Sequence, residues 1–84
     1  MKNWGDYSFV MRSEHRKNVF LALSEPKTPT DLARELELNI GYMSNIIISL
    51  LDRKLIECLN PEEKRYRLYK RTKRGEELAK EIKD

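Results

Sequence analysis

Apolar residues recur with a helical period along most of the chain, in segments that each close on a recognisable stop. From about Ser13 to Leu23, Val19, Phe20 and Leu23 share one stripe while Glu14, Arg16 and Lys17 open the polar side. Pro26 biases Glu25 away from helical backbone and ends that segment. Thr28 then suits an N-cap, with Pro29 at the first helical position, where no N–H is needed, and Asp31 at the third. Leu32, Ala33 and Leu36 make the buried stripe of this short helix, and the small Ala33 permits a close helix crossing. Asn39 is placed to cap a longer helix from about Ile40 to Arg53, whose inward face is Met43, Ile47 and Leu50.

Beyond Lys54 the period becomes extended. Leu55 to Leu59 predicts a strand, Asn60-Pro61-Glu62-Glu63 a turn, and Lys64 to Arg71 a returning strand that alternates basic with aromatic and apolar residues. Thr72 can cap a last helix with the stripe Leu78, Ala79 and Ile82, for which no remaining element offers cover. The first dozen residues carry Trp4, Tyr7, Phe9, Val10 and Met11, too apolar for a free tail and too irregular to assign as a helix. The expected organisation is an N-terminal apolar extension over 1–12 lying outside the core, a domain over 13–75 and a C-terminal helix over 76–84. The fold class is α+β, mostly helical: a three-helix core, a two-stranded β-hairpin wing and a C-terminal helix, the order of a winged helix-turn-helix.

Composition narrows the function. With 84 residues there is room for one domain with a small core. A lone Cys58 excludes an internal disulfide and a cysteine zinc site, and His15 is the sole imidazole. No cofactor or metal is expected, and an enzyme is not. No run is long and apolar enough to span a membrane, and no signal sequence is evident, so a soluble cytoplasmic protein is expected. Charge is uneven. The formal net charge is +3, yet residues 53–75 hold nine basic against three acidic side chains, leaving the remainder of the chain acidic. Such a segment marks a polyanion-binding face.

Four runs in order resemble one family. They are Thr28-Pro29-Thr30-Asp31-Leu32-Ala33-Arg34-Glu35-Leu36, Tyr42-Met43-Ser44, Leu50-Leu51-Asp52-Arg53-Lys54-Leu55-Ile56 and Tyr69-Lys70-Arg71-Thr72-Lys73-Arg74-Gly75. Together they resemble small archaeal winged helix-turn-helix transcriptional regulators of the MarR/ArsR-like group. Departures from the pattern are Glu37 in the tight turn and Lys54 after the long helix, where the family usually has glycine, and Arg71 in place of a leucine. A left-handed residue costs about 1 kcal/mol more for Glu or Lys than for Gly, so a somewhat opened turn is expected.

The residues point to double-stranded DNA as partner. A helix enters the major groove with its early exposed side chains facing base edges, here Asn39, Tyr42, Ser44 and Asn45, with Gly41 allowing close approach to phosphate. Asn45 suits adenine, and Asn39 serves equally as a plain cap. On the wing, Lys64 and Arg65, with Arg67 further back, are candidates for minor groove and phosphates, although Glu62 and Glu63 oppose contact at the tip. Arg53, Lys54, Lys73 and Arg74 are expected to be solvated charges. Ile46, Ile48 and Leu51 are apolar off the main stripe, covered either by neighbouring elements or by a partner. A homodimer held by both chain ends, on an inverted repeat, accounts for the apolar termini. Two alternatives stay open: a winged helix used as a protein-interaction module, and an RNA-binding one with Tyr66 and Tyr69 as stacking platforms.

Overall fold

The computed structural model describes residues 4–82, so residues 1–3 of the N-terminal extension and 83–84 of the last segment lie outside the described residues. The chain runs α1 (Trp4–Met11), α2 (Glu14–Ala22), α3 (Pro29–Leu36), α4 (Ile40–Asp52), β1 (Ile56–Cys58), β2 (Tyr69–Arg71) and α5 (Lys73–Ala79). Three expected caps form. The Thr28 side chain accepts from the Asp31 amide, Asn39 from those of Gly41 and Tyr42, and Thr72 from that of Gly75. Met43, Ile47 and Leu50 are buried beside Val19, Phe20 and Leu32, which makes α2, α3 and α4 the expected helical core.

The N-terminal segment departs from expectation. It is a helix, and Val10 is fully buried in the core, with Tyr7 and Phe9 packed against it, while Trp4 and Met11 stay exposed. The stripe was hidden because its other inward residue, Asp6, is an acid and yet only 3% exposed. Its carboxylate accepts from Arg53 at 3.1 Å and from Arg74 at 2.9 and 2.6 Å, ion pairs that supply what water would otherwise provide. The Phe9 ring lies under the guanidinium groups of Arg16 and Arg53, at 3.9 and 4.3 Å. These contacts fasten α1 to α2, the end of α4 and the start of α5.

The turn between α3 and α4 keeps its tight form. Glu37 adopts left-handed backbone at φ 58 and ψ 48, and the Leu38 amide reaches back to the Ala33 carbonyl at 2.9 Å. Lys54 does the same after α4, with φ 61. Both residues stand in the strained conformation that glycine would take freely, and the expected opening does not occur.

The wing is shorter than the alternation suggests. β1 and β2 pair antiparallel with Ile56 opposite Arg71 and Cys58 opposite Tyr69, but residues 60–68 form a loop rather than extended strand. A further pairing was not foreseen: Lys27, just before α3, exchanges two backbone hydrogen bonds with Tyr69, at 3.1 and 2.9 Å, and ties the helix-turn-helix to the wing base. Arg71 in the leucine position is buried, paired with Glu76 and donating to the Phe20 carbonyl at 3.3 Å. Cys58 is half-buried, its thiol donating to Asn60 Oδ1 at 3.6 Å.

The expected uncovered stripe on the last helix is covered. Leu78 is fully buried and Ile82 nearly so, both within the single core. Gly75 is the reason: a Cβ there would sit 2.1 Å from the Leu55 carbonyl oxygen, so its absence lets α5 press directly onto the start of the wing. Regular helix ends at Ala79, and the chain continues through a turn to Ile82.

Candidate nucleic-acid interface

The exposed side of α4 follows from its burial pattern. Met43, Ile46, Ile47 and Leu50 turn inward, which leaves Ile40, Gly41, Tyr42, Ser44, Asn45, Ile48 and Asp52 outward. All five residues expected to read DNA from this helix and its cap are therefore on the surface. Their chemistry is less uniform. Asn39 spends its Oδ1 on the Gly41 and Tyr42 amides, at 2.7 and 3.2 Å, and so acts as a cap whose Nδ2 alone remains for an outside partner. A Cβ on Gly41 would approach that oxygen to 3.1 Å, so Gly41 serves the cap as well as any close backbone approach. The Ser44 hydroxyl donates to the Ile40 carbonyl at 3.1 Å and keeps its lone pairs to accept. Tyr42 meets the His15 ring edge-on, with centroids 5.6 Å apart, which fixes the phenol from the side of α2. Asn45 is exposed on the next turn.

The wing loop is held by two side chains. Asn60 accepts from the Leu68 amide at 2.8 Å and donates to the Tyr66 carbonyl at 3.2 Å, while Arg67 donates to the carbonyls of Glu63 and Pro61 at 2.6 and 3.2 Å. Arg67, expected as a contact, thus closes the loop from within. Tyr66 carries the strain of this closure at φ 57 and points its ring into solvent. Lys64 and Arg65 are exposed on the same loop, beside Glu62 and Glu63.

Helix and wing meet across a surface groove of about 400 Å³. It is lined by Thr28, Pro29 and Thr30 at the start of α3, Ile40 and Ser44 of α4, and Lys64 to Arg67 with Tyr69 of the wing. A smaller groove of about 300 Å³ continues along α4 past Ile47, Ile48 and Leu51. The structure therefore brings Ser44, Lys64, Arg65 and Arg67 together, and sets Asn39, Gly41, Tyr42 and Asn45 outside the groove lining.

The basic face is smaller than the count of charges suggests. Arg53 and Arg74, expected to be solvated, both turn to Asp6, and Arg71 is buried against Glu76. Ile40 is the residue sequence reasoning missed, and Ile48 was singled out only as one of three apolar residues off the main stripe. Ile46 is buried and Leu51 half-buried by neighbouring elements, but Ile48 remains 55% exposed and Ile40 49%. The only signal was the extra apolar residue off the main stripe, which could not say which of three would be left uncovered.

No protein-family model matches the sequence, and no curated protein does. Among solved structures the chain is similar to wild-type MarR from E. coli in its apo form, at 22% identity and a TM-score of 0.74, covering 90% of this chain and 59% of that one. A MarR-family transcription regulator matches at 25% identity and a TM-score of 0.71, over 90% and 55%. ZitR from Lactococcus lactis, in complex with DNA, matches at 19% identity and a TM-score of 0.66, over 80% and 47%. The fold is therefore that of the MarR-family winged helix, with five helices and a two-stranded antiparallel hairpin among the described residues. The chain spans less than two thirds of the length of each of these structures.

Proposed function

We propose that this chain is a sequence-specific, double-stranded-DNA-binding transcription regulator that acts in the cytoplasm as a homodimer without a cofactor. The observation that carries the reading is the groove in which the exposed face of α4 and the basic wing loop lie side by side. In this reading α4 enters the major groove, Tyr42 and Asn45 address base edges, and Ser44 and the Gly41 backbone take phosphate or base contacts. Lys64 and Arg65 lie on the flanking minor groove or phosphates, and Arg67 and Asn60 hold them there. The solved neighbour described as a DNA complex favours the same use of the fold.

The dimer rests on α1 rather than on both chain ends, since Leu78 and Ile82 are spent on the core. Trp4 stacks on Tyr7 with centroids 5.7 Å apart, and with Met11 they line a shallow apolar groove of about 500 Å³. A second copy covering this face across a two-fold axis presents two α4 helices to an inverted repeat, with half-sites about 10 base pairs apart.

The test is an electrophoretic shift against the DNA upstream of its own gene, at two salt concentrations, with single-stranded RNA alongside. Preference for one duplex that weakens as salt rises supports the reading. Absence of binding to any nucleic acid favours a protein-interaction module, and preference for RNA an RNA-binding winged helix. Sedimentation equilibrium of the chain and of its Trp4→Ala, Met11→Ala variant separately tests the dimer: a wild-type monomer at tens of micromolar refutes it.

A further inference from the structure

Ile40 and Ile48 are large aliphatic side chains left about half exposed on a helix whose Met43, Ile46, Ile47 and Leu50 are buried. They stand eight residues apart with Ser44 midway, so the three share one face and span about 12 Å along the axis. Ile40 and Ser44 line the groove that also holds Lys64 and Arg65, and Ile48 lines its continuation with Ser44 and Arg67. One turn beyond Ile48 the same face ends in exposed Asp52, an acid that phosphate would repel.

An apolar stripe flanked by cations suits a partner that is anionic at its edges and apolar at intervals within. DNA carries phosphates along its rims, and in its major groove the thymine C5-methyl is the apolar feature that distinguishes one base from the others. A span of about 12 Å covers three to four base-pair steps of roughly 3.4 Å each. We propose that Ile40 and Ile48 are specificity-determining residues that read thymine methyl groups in the major groove. Asn45 and Tyr42 read polar base edges from the neighbouring face of the same helix, while the isoleucines set a preference for thymine at two positions about three to four base pairs apart. The inference rests on the DNA-binding reading above and adds to it which bases this face selects.

The experiment starts from a duplex selected out of a random pool by the wild-type chain. Each thymine in its half-site is then replaced in turn by deoxyuridine, which removes only the methyl, and affinity is measured by fluorescence anisotropy. Burying one methyl corresponds to about fourfold in affinity, so one or two positions should lose about that factor. Ile48→Ala should lose the same factor on the thymine duplex and become indifferent to deoxyuridine at one of those positions, with Ile40→Ala behaving likewise at the other. Thermal unfolding of both variants should match wild type, because neither side chain belongs to the core. A duplex that binds in a salt-dependent way yet responds to no deoxyuridine, or has no thymine in its half-sites, overturns this inference and leaves DNA binding standing. Variants as sensitive to deoxyuridine as wild type overturn it too. Failure to select any duplex removes both readings together.

Discussion

Gly75→Ala sets two effects of opposite sign against each other. In an isolated helix the change is favourable, since alanine exceeds glycine by about 1 kcal/mol in helix propensity. In this fold the new methyl carbon would lie 2.1 Å from the Leu55 carbonyl oxygen and 3.2 Å from Arg71 Cβ. The first contact is with backbone, so no side-chain rotation relieves it. That oxygen also accepts from the Thr72 amide at 3.0 Å, and Thr72 Oγ1 donates to the Lys54 carbonyl at 2.8 Å. Any shift therefore strains the junction of α4, the wing and α5 together. Overpacking of this kind costs about 3 kcal/mol, and after the propensity gain the variant should be less stable by about 2 kcal/mol. Urea unfolding followed by circular dichroism at 222 nm reads this directly. For a chain of this size the corresponding fall in Tm is roughly 8–16 °C. A variant as stable as wild type, or more so, would refute the account of how α5 is seated.

Other perturbations follow from the same contacts. Asp6→Ala removes a buried carboxylate from two arginines that are themselves 38% and 52% exposed and can rehydrate, so the loss in urea unfolding should be about 1–3 kcal/mol; an unchanged midpoint would show that α1 is not fastened as described. Glu37→Gly relieves left-handed strain and should raise stability by up to about 1 kcal/mol in the same assay, whereas a loss would mean that the turn does not hold Glu37 at positive φ. Asn60→Ala should leave global unfolding nearly unaltered but speed hydrogen exchange at the Leu68 amide and weaken duplex binding; an unaltered exchange rate there would exclude Asn60 as the anchor of the wing.

Local chemistry was the most legible part of the fold. Thr28, Asn39 and Thr72 cap helices because a short polar side chain before an apolar period has few other uses, and Met43, Ile47 and Leu50 are buried where a period of 3.6 places them. Features decided by distant partners were not legible. Asp6 reads as a surface acid until Arg53 and Arg74, 47 and 68 residues away, are brought to it. Gly75 reads as an ordinary helix residue until Leu55 approaches, and with it Leu78 and Ile82 pass from a supposed interface into the core. The alternation of Lys64 to Arg71 suggested a strand throughout, but Arg67 and Asn60 satisfy the backbone of the loop in another way. In the candidate site, the exposed positions of α4 followed from helix geometry. Which basic residues remained free did not, because ion pairing is settled only by the packed structure.

The central claim is that α4 and the wing form the DNA-binding face. It is tested most directly by mapping backbone amide chemical shifts of the isotope-labelled chain as a selected duplex is added at low and at moderate salt. The account predicts perturbations concentrated at residues 39–48 and 62–67, which fade as salt rises, with the α1 face about Trp4 and Met11 left unchanged. Saturable binding whose perturbations centre on α1 or α5, or which leaves Tyr42, Asn45 and Arg65 unmoved, would contradict it.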